Sequence, residues 1–345
     1  MGFLENTPSN EGSAEDTFKA KISVAGIGGG GSSTVQRMSK LGVFGAELIA
    51  INTDGKHLNT MDPSIKRILI GGVLTRGLGA GGFSEIGTKA ADYSKNDIEK
   101  ALQGSNLLFI TAGMGGGTGT GAAPIVAGIA KEAGALVIGI VTYPFALERV
   151  RLKVAKKGIE ELSKNCDTLI VIDNQRLAEV YRNLAIDQAF KIADEVASRA
   201  VKGITETINK PGLVNIDFAD IRTIVKNGGL AMISIGEGRG PNRVDDVVQS
   251  TLRNKLLDVD YDGTTGIMIY ILGGDDLTLG EVNQIASKLS ERSAPNANVI
   301  WGARIDPEYN GKVEVIAVFT GVISPQMLSG TQQKGNDDDL GIDGL

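Results

Sequence analysis

Three glycine-rich segments of the sequence have the composition of phosphate-binding loops. They are GIGGGGSS at residues 26–33, GLGAGG at residues 77–82 and GMGGGTGTG at residues 113–121. Glycine lets the backbone approach phosphate oxygens closely, and a helix that follows directs its first N–H groups at the anion. The first segment fits G-x-G-x-x-G, but no lysine follows its last glycine, which excludes a P-loop. Taken alone, this segment is also compatible with a tight turn between a strand and a helix.

The elements that must position these segments are short apolar runs that alternate with helical patterns. The runs lie at residues 22–26, 48–51, 68–70, 107–111, 136–141 and 169–172. Continuously apolar runs of this length predict parallel strands buried on both faces, and the alternation with helices predicts an open α/β sheet. Loops that follow parallel strands meet at one edge of the sheet, so the three segments are expected to form one site. Their many N–H donors, with the hydroxyls of Thr118 and Thr120, suit a triphosphate.

A dinucleotide-binding enzyme is the first alternative. Asn52 and Asp54 end the second strand about 20 residues beyond the first glycine loop, where an acid would hold a ribose hydroxyl of NAD. The other two glycine loops add more N–H donors than a pyrophosphate needs, and the sequence shows no obvious hydride-transfer site. The sequence therefore favours a nucleoside triphosphate over NAD.

Composition excludes several other classes of protein. The chain has 345 residues, a net charge of −6 and 47 glycines, and an acidic balance argues against nucleic acid as the main partner. Its single cysteine, Cys166, excludes an internal disulfide, and its single histidine, His57, excludes a multi-histidine zinc site. Both residues, like Trp301, are expected to be structural. No apolar run approaches the length that spans a bilayer, so the protein is expected to be cytoplasmic without direct membrane insertion.

Changes of composition divide the chain into five parts. A disordered arm, a nucleotide-binding domain, a long central helix, a smaller α+β domain and a flexible tail are predicted at residues 1–19, 20–181, 182–208, 209–323 and 324–345. In the smaller domain the patterns predict helices at 217–226, 244–257 and 278–292 and strands at 230–236, 266–272, 298–304 and 313–320. The polar composition of both termini is typical of disordered segments that have too few apolar residues to form a hydrophobic core.

GGGTGTG, together with VTYPFALE and PGLVNIDFADIRTIV, resembles the signature segments of the FtsZ family in the tubulin superfamily. IDQAFKIADEV, NGGLAMISIGEG and NVIWGARID are similar to archaeal more than to bacterial members. The resemblance covers nearly the whole ordered chain. It implies a Rossmann-type parallel-sheet GTPase domain, a long central helix and a smaller α+β C-terminal domain that activates the GTPase. It also implies GTP or GDP as the ligand, with Mg²⁺ held through phosphates and water and no protein residue assigned as a direct metal ligand.

The same resemblance assigns a nucleotide-binding role to many residues. Those at the phosphate loops and strand ends are Gly28, Gly29, Gly30, Gly31, Ser32, Ser33, Asn52, Asp54, Gly79, Ala80, Gly81, Gly82, Gly113, Gly115, Gly116, Gly117, Thr118, Gly119 and Thr120. Pro144, Glu148 and Arg151 are assigned to the ribose region, and Phe190 and Asp194 to the base. Without the resemblance, Glu148 would be a solvated carboxylate, and Phe190 and Asp194 a core ring beside a surface acid. A carboxylate at Asp194 accepts from guanine N1–H and N2–H₂, which would select GTP over ATP.

The sequence departs from the family pattern at three places. Ser33 stands where the family often has asparagine, and Gly81-Gly82-Phe83-Ser84 replaces the usual continuation of the third loop. Leu152 stands where many members have an arginine, so the adjacent Arg151 is the expected substitute.

Asn215, Asp217 and Asp220 in NIDFAD match the family's catalytic loop, which completes the active site of the neighbouring subunit. The two carboxylates would orient or polarise the water that attacks the γ-phosphate. From spacing alone, Asn215 or Asp217 simply caps the helix that begins there.

The resemblance implies a head-to-tail homopolymer of the mid-cell division ring, whose subunits separate after hydrolysis. A second alternative keeps the polymer but treats GTP as a structural ligand. A second FtsZ paralogue in the cell and a SepF-like membrane adaptor are the further expected partners. The adaptor would bind the aliphatic residues at 340–345, unless this tail folds back on the second domain.

Overall fold

A computed structural model describes most of the chain. The described residues are 20–210, 212–226, 228–253 and 261–322. The predicted N-terminal arm and the predicted tail both lie outside the described residues, as does the end of the helix predicted over 244–257.

The strands of the first domain form the expected parallel sheet. They are β1 (Ile22–Ile27), β2 (Ala46–Asn52), β3 (Lys66–Leu69), β4 (Leu107–Gly113), β5 (Leu136–Tyr143) and β6 (Thr168–Asp173). Their spatial order is β3-β2-β1-β4-β5-β6, and every neighbouring pair is parallel. This order reverses direction beside β1, so the carboxyl ends of β1 and β4 flank the crevice where ligands bind in such sheets.

Eight helices of the described chain accompany these strands: seven connect them, and the last follows β6. They are α1 (Gly28–Lys40), α2 (Gly55–Asn59), α3 (Gly72–Thr75), α4 (Ser84–Tyr93), α5 (Lys95–Leu102), α6 (Thr118–Glu132), α7 (Arg149–Asn165) and α8 (Asn174–Val180). The short α3 corrects the expectation that the third glycine loop directly follows the third strand. That loop follows α3, because Gly71 and Arg76 both adopt left-handed backbone conformations that bound one isolated helical turn.

The long helix α9 (Ile186–Asn209) joins the two domains. It begins four residues after the predicted start at 182. Leu184 N–H donates to the Tyr181 carbonyl at 3.1 Å in a separate turn, and Ala185 is extended with φ −61° and ψ 147°. An apolar periodicity that continues through a turn cannot by itself locate a helix start.

The second domain extends the same sheet with strands of mixed direction. Its elements are α10 (Phe218–Val225), β7 (Gly229–Arg239), α11 (Arg243–Leu252), β8 (Gly266–Gly273), α12 (Leu279–Ser290), β9 (Asn298–Ile305) and β10 (Lys312–Thr320). β10 pairs antiparallel with β7 and β8, and β8 pairs parallel with β9. The order β6-β7-β10-β8-β9 completes ten strands of the described chain. The helix predicted over 244–257 corresponds to α11, which ends at Leu252. The prediction is therefore wrong at Arg253, and its remaining residues lie outside the described part of the chain.

Two apolar clusters lie on opposite faces of the first domain's sheet. Neighbouring strand residues alternate between them, with Val24 in one and Ala25 in the other. The cluster that contains Val24 continues through α9 at Ala197 and Val201 and reaches Ile316 of the second domain. Burial of a shared core makes α9 a rigid connection between the two domains. Among the described helices, none combines the length and apolar character needed to cross a membrane.

Candidate functional site

The three glycine loops meet at the carboxyl edge of the sheet. Gly28 has φ +71°, and a Cβ there would lie 2.7 Å from the backbone N of Gly119, so the first and second loops touch. A Cβ on Gly117 would lie 2.8 Å from that of Ala80, so the second and third loops also touch. Only glycine permits such approaches of one backbone to another. The structure therefore brings the predicted phosphate-binding segments together.

A cavity of about 380 Å³ opens beside the first loop, between α1 and α9. It is lined by Gly30, Ser33, Thr34, Arg37, Thr111, Ala112, Gly113, Thr142, Asp187, Phe190, Lys191, Ala193 and Asp194. The predicted base-binding residues Phe190 and Asp194 therefore face the same space as the first and second glycine loops. The Phe190 ring is 40% exposed, which leaves a face on which a base can stack. Its edge contact with Phe145, at 5.7 Å between centroids, fixes its orientation.

Asp194 is held by α1 through two side chains that the sequence reasoning missed. Thr34 Oγ1 donates to Oδ1 at 2.6 Å, and Arg37 Nε donates to Oδ2 at 3.0 Å. Burial is the largest influence on this carboxyl and raises its pKa, while the Thr34 hydrogen bond and the Arg37 charge act in the opposite direction. Thr34 and Arg37 are three residues apart and so share one helix face. That spacing was the available signal.

The two serines of the first loop have different surroundings. Ser33 Oγ donates to the Gly29 carbonyl at 3.0 Å, within the first turns of α1. Ser32 is fully buried, and its Oγ has no hydrogen-bond partner. A buried hydroxyl without a partner costs free energy, and a phosphate oxygen would satisfy it.

The two predicted threonine donors, Thr118 and Thr120, make hydrogen bonds within the protein. Thr120 Oγ1 accepts from Gly115 N–H at 2.8 Å, and its side chain is buried. Thr120 thus braces the loop as an acceptor while its O–H remains able to donate, and its predicted contact with phosphate stays a prediction. Thr118 Oγ1 lies 2.7 Å from Thr53 Oγ1 at the end of β2. Thr53 was missed because one threonine after a strand carries no sequence signal.

Asn52 and Asp54 organise the loop that follows β2. Asn52 Nδ2 lies 3.3 Å from His57 Nδ1, and Asn52 Oδ1 accepts from Asp54 N–H at 3.3 Å. Asp54 Oδ1 caps α2 by accepting from His57 N–H at 3.1 Å. The predicted structural role of His57 agrees with these contacts. Both amide atoms of Asn52 and one oxygen of Asp54 are thus engaged within the loop.

Glu148, Pro144 and Arg151 lie against the second glycine loop. A Cβ on Gly115 would lie 2.9 Å from the Arg151 carbonyl and 3.0 Å from Pro144 Cγ. Glu148 accepts from Phe145 N–H at 3.2 Å and from Arg151 Nη1 at 2.6 Å. Arg151 therefore pairs with Glu148 beside the second glycine loop, outside the cavity lining, and its role as the substitute for the family arginine stays a prediction.

Asn215, Asp217 and Asp220 lie away from the cavity. Asp217 Oδ1 accepts from Asp220 N–H at 2.8 Å, and Asp220 Oδ2 accepts from Asp217 N–H at 3.0 Å, a reciprocal capping box for α10. Asn215 Oδ1 accepts from Gly212 N–H at 2.6 Å. The simple capping explanation therefore holds for Asp217. None of the three residues lines the cavity, since they follow α9 whereas Asp194 lies near its start.

The donor set of this site fits phosphate oxygens rather than a directly ligated cation. It consists of backbone N–H groups, a buried serine hydroxyl and threonine hydroxyls. Among the residues that the structure describes, no group of three or more His, Cys, Asp or Glu side chains could hold a metal ion. Cys166 takes no part, because burial raises the pKa of its thiol to about 12.

Comparison with family models defines the class of this site. The Tubulin/FtsZ family GTPase domain matches residues 21–182, so the glycine loops belong to a GTPase domain of the tubulin class. The C-terminal domain of the FtsZ family matches residues 229–323. The chain belongs to the FtsZ family.

Known relatives agree with this assignment. Cell division protein FtsZ 2 of Methanocaldococcus jannaschii is 55% identical over 91% of this chain and 83% of its own length. Cell division protein FtsZ 1 of the same organism is 50% identical over 89% of this chain and 84% of its own. A solved structure described as "FtsZ dimer, empty (M. jannaschii)" has a TM-score of 0.82 at 49% identity, covering 88% of this chain and 89% of that one. The predicted family and fold class are confirmed.

Proposed function

We propose that this protein is a self-assembling GTPase of cell division, whose subunits stack head to tail so that each completes the active site of the next. The observation that carries this proposal is the separation of two functional groups along α9. The nucleotide cavity lies at its start, and Asp217 and Asp220 follow its end. From Asp194 to Asn209 the helix covers about 22 Å. This separation, with neither carboxylate in the cavity lining, supports carboxylates supplied to each nucleotide by another subunit.

A head-to-tail contact resolves this separation. The carboxylate end of one subunit would cover the cavity of the next, and a heterologous contact of this kind generates an open filament. Asp217 is exposed and Asp220 is half-buried, so both can meet a partner. The similar M. jannaschii protein has been solved as a dimer.

The cavity would bind GTP with its base between α1 and α9. Phe190 offers a ring for stacking, and the carboxylate of Asp194 offers acceptors for guanine N1–H and N2–H₂. The triphosphate would lie on the N–H groups of the glycine loops and the N-termini of α1 and α6. Mg²⁺ would be held by phosphate oxygens and water, and when bound it neutralises phosphate charge. NAD remains the weaker candidate, because its pyrophosphate would leave part of the three-loop donor set unused.

Hydrolysis would depend mainly on how the attacking water is positioned relative to the γ-phosphate. Asp217 and Asp220 would orient the attacking water from the neighbouring subunit, since phosphoryl transfer requires mainly alignment and charge stabilisation. Loss of the γ-phosphate would then weaken the contact and allow turnover.

A mixing experiment tests the shared site. Asp194→Asn damages the cavity, and Asp217→Asn removes one carboxylate while asparagine still caps α10. Each variant alone should release phosphate slowly. An equal mixture at saturating GTP should recover activity at about a quarter of its interfaces, those with an intact cavity facing an intact carboxylate pair.

The mixture also separates the alternatives. If each variant keeps full activity, the assigned residues do not act as proposed. If wild type assembles with GTP but releases no phosphate, GTP is a structural ligand. If the mixture is no more active than the variants, the site is not shared between subunits. The control is wild type diluted with either variant.

The remaining partners belong to the same proposal. The two M. jannaschii relatives are encoded in one organism, which supports a second paralogue beside this chain. A division-ring filament would reach the membrane through an adaptor bound to residues 340–345, which lie outside the described part of the chain. Deletion of residues 335–345 should abolish binding to adaptor-coated liposomes and leave phosphate release unchanged. Liposome binding by the truncated protein would contradict this role.

A further inference from the structure

We infer that Arg37 and Thr34 are positioning residues for nucleotide specificity, which fix the Asp194 carboxylate so that its remaining acceptor site, on Oδ1, faces a guanine base. Because Asp194 meets a base only if a nucleotide occupies the cavity, this role rests on the function proposed above. Nothing in the sequence motifs of the glycine loops assigns a role to either residue.

The contacts fix the carboxylate from both sides. Thr34 Oγ1 donates to Oδ1 at 2.6 Å. Arg37 directs two nitrogens at Oδ2, Nε at 3.0 Å and Nη2 at 2.9 Å. With one oxygen anchored by each residue, rotation of the carboxylate breaks at least one charge-assisted bond. A carboxylate has about four acceptor sites, and these three donors use three of them, which leaves a lone pair on Oδ1 for a ligand.

The position of both residues on α1 links base recognition to phosphate binding. The first turn of α1 carries Gly28 to Gly31, and Thr34 and Arg37 follow about one and two turns later. One rigid helix therefore sets the distance between the phosphate loop and the acceptors for the base. The phosphates and the base of a bound nucleotide would therefore both be positioned by α1.

The charge of Arg37 also keeps Asp194 in its accepting form. The Asp194 side chain is only 14% exposed, and burial raises the pKa of its carboxyl. A protonated carboxyl would present an O–H to the N–H groups of guanine. The other charged residues that line the cavity are Asp187 and Lys191, which pair with each other at 3.2 Å. Arg37 is thus the cation bonded to Asp194.

Nucleotide competition against a fluorescent GDP analogue tests this role at protein concentrations too low for assembly. The nucleotides are GTP, ITP, which lacks the 2-amino group, and ATP. Arg37→Met should weaken GTP binding about tenfold, as loss of a charge-assisted bond would, and leave ATP binding within about twofold. Thr34→Val should act in the same direction with a smaller effect. Arg37→Lys should restore part of the preference.

A matched control lies on α9, the helix that carries Asp194. Arg199 of α9 pairs with Glu314 at 2.9 Å, remote from the cavity lining. Arg199→Met should leave the ratio of GTP to ATP affinity unchanged. Thermal unfolding of all variants excludes loss of fold as the cause of weaker binding.

The pH dependence gives an independent measurement. Removal of Arg37 raises the pKa of Asp194 further, so its carboxyl loses the proton only at higher pH. In Arg37→Met the preference for GTP should therefore develop at higher pH than in wild type, where Arg37 opposes the effect of burial.

The outcomes distinguish this inference from the proposed function. If wild type does not prefer GTP to ATP, or if Asp194→Asn keeps that preference, then Asp194 does not recognise guanine and both proposals fail. If wild type prefers GTP and Asp194→Asn loses the preference, but Arg37→Met retains it, only the positioning role fails. An equal loss of GTP and ATP affinity in Arg37→Met also overturns that role.

Discussion

At the scale of single residues, side chains predicted to contact the nucleotide or perform catalysis often hold the protein together as well. Asp217 caps α10, Asp54 caps α2, and Thr120 braces the second glycine loop. A polar side chain near a loop satisfies backbone N–H groups first, because an unpaired buried donor is costly. Substitutions at such residues therefore change stability and function together unless the replacement keeps the structural bond.

Asp217 allows the two roles to be separated. Asp217→Ala should lower the free energy of unfolding by about 1 kcal/mol through loss of the cap and lower phosphate release about 100-fold through loss of the water-orienting carboxylate. Asp217→Asn should retain the stability, because asparagine caps well, and lose the activity. Chemical denaturation and phosphate release measure the two effects. Normal hydrolysis by Asp217→Asn would leave Asp217 with a capping role alone.

The thiol of Cys166 should be unreactive in the folded protein. It is buried and its pKa is raised to about 12, so almost none is thiolate at neutral or mildly alkaline pH. A thiol reagent at pH 8 should label the native protein far more slowly than the protein in denaturant. Because Cys166 is the sole cysteine, the labelling rate follows unfolding directly. Rapid labelling of the folded chain would show that this region opens readily.

At the scale of elements, helix α6 illustrates how close packing positions the loops. Its Gly121 faces α4, where a Cβ would lie 2.0 Å from the Ser84 carbonyl oxygen and 2.6 Å from Thr88 N. The third glycine loop leads into α4, so the approach of α4 to α6 brings that loop against the second one. The glycine is needed for contact between two backbones and not for a special φ.

Two substitutions in α6 test this packing against each other. Gly121→Ala should destabilise the protein by about 3 kcal/mol or more, because a backbone neighbour must move, and should weaken nucleotide binding. Gly128→Ala adds the same methyl where the nearest atom is 3.6 Å away, and should be neutral or stabilise by up to about 1 kcal/mol. Denaturation midpoints compare them. Equal effects of the two would contradict the role of close packing.

An ion-pair cluster should make the second domain sensitive to acid. Arg243 is buried and donates to Glu281 on α12 and to Asp276. The Arg243 hydrogen bonds lower the pKa of Glu281 to about 2, from 4.5. A carboxyl with a depressed pKa stabilises the folded state above its unfolded pKa, and this contribution is lost as pH falls from about 4.5 to 2.

Arg243→Met should flatten this acid dependence. Arg239→Met is the control, because the Arg239–Glu237 pair is exposed, with 73% and 40% of the two side chains accessible, and such pairs contribute little. Thermal unfolding from pH 6 downward measures the effect. The cluster is not the source if both variants lose stability with acid as steeply as wild type.

At the scale of the whole molecule, the shared core through α9 fixes the distance between the nucleotide cavity and helix α10, which Asp217 caps. Because α9 packs on both domains, a change at the cavity and a change at α10 are connected by a rigid element. Under the proposed function the cavity and the carboxylates are complementary halves of a shared site, so hydrolysis would require assembly.

Phosphate release should therefore depend on assembly. The rate per subunit should rise steeply with protein concentration and reach a plateau, whereas GTP binding measured at low concentration should already be complete. Light scattering measured in parallel should rise over the same concentration range. A constant rate per subunit at all concentrations would mean that one subunit hydrolyses GTP alone.

The sequence alone determined the α/β class, the strands and the three glycine loops, because these depend on local apolar patterns and on the backbone freedom of glycine. The NIDFAD motif likewise predicted both its cap and its candidate carboxylates. Only the tertiary structure decided the bonds of Asp194 with Thr34 and Arg37, the pairing of Thr53 with Thr118, and the hydrogen bond that Thr120 accepts from Gly115. These contacts join residues far apart in the chain or depend on which way a hydroxyl points. Contacts of these two kinds produce no periodic pattern in the sequence, because packing between elements determines them.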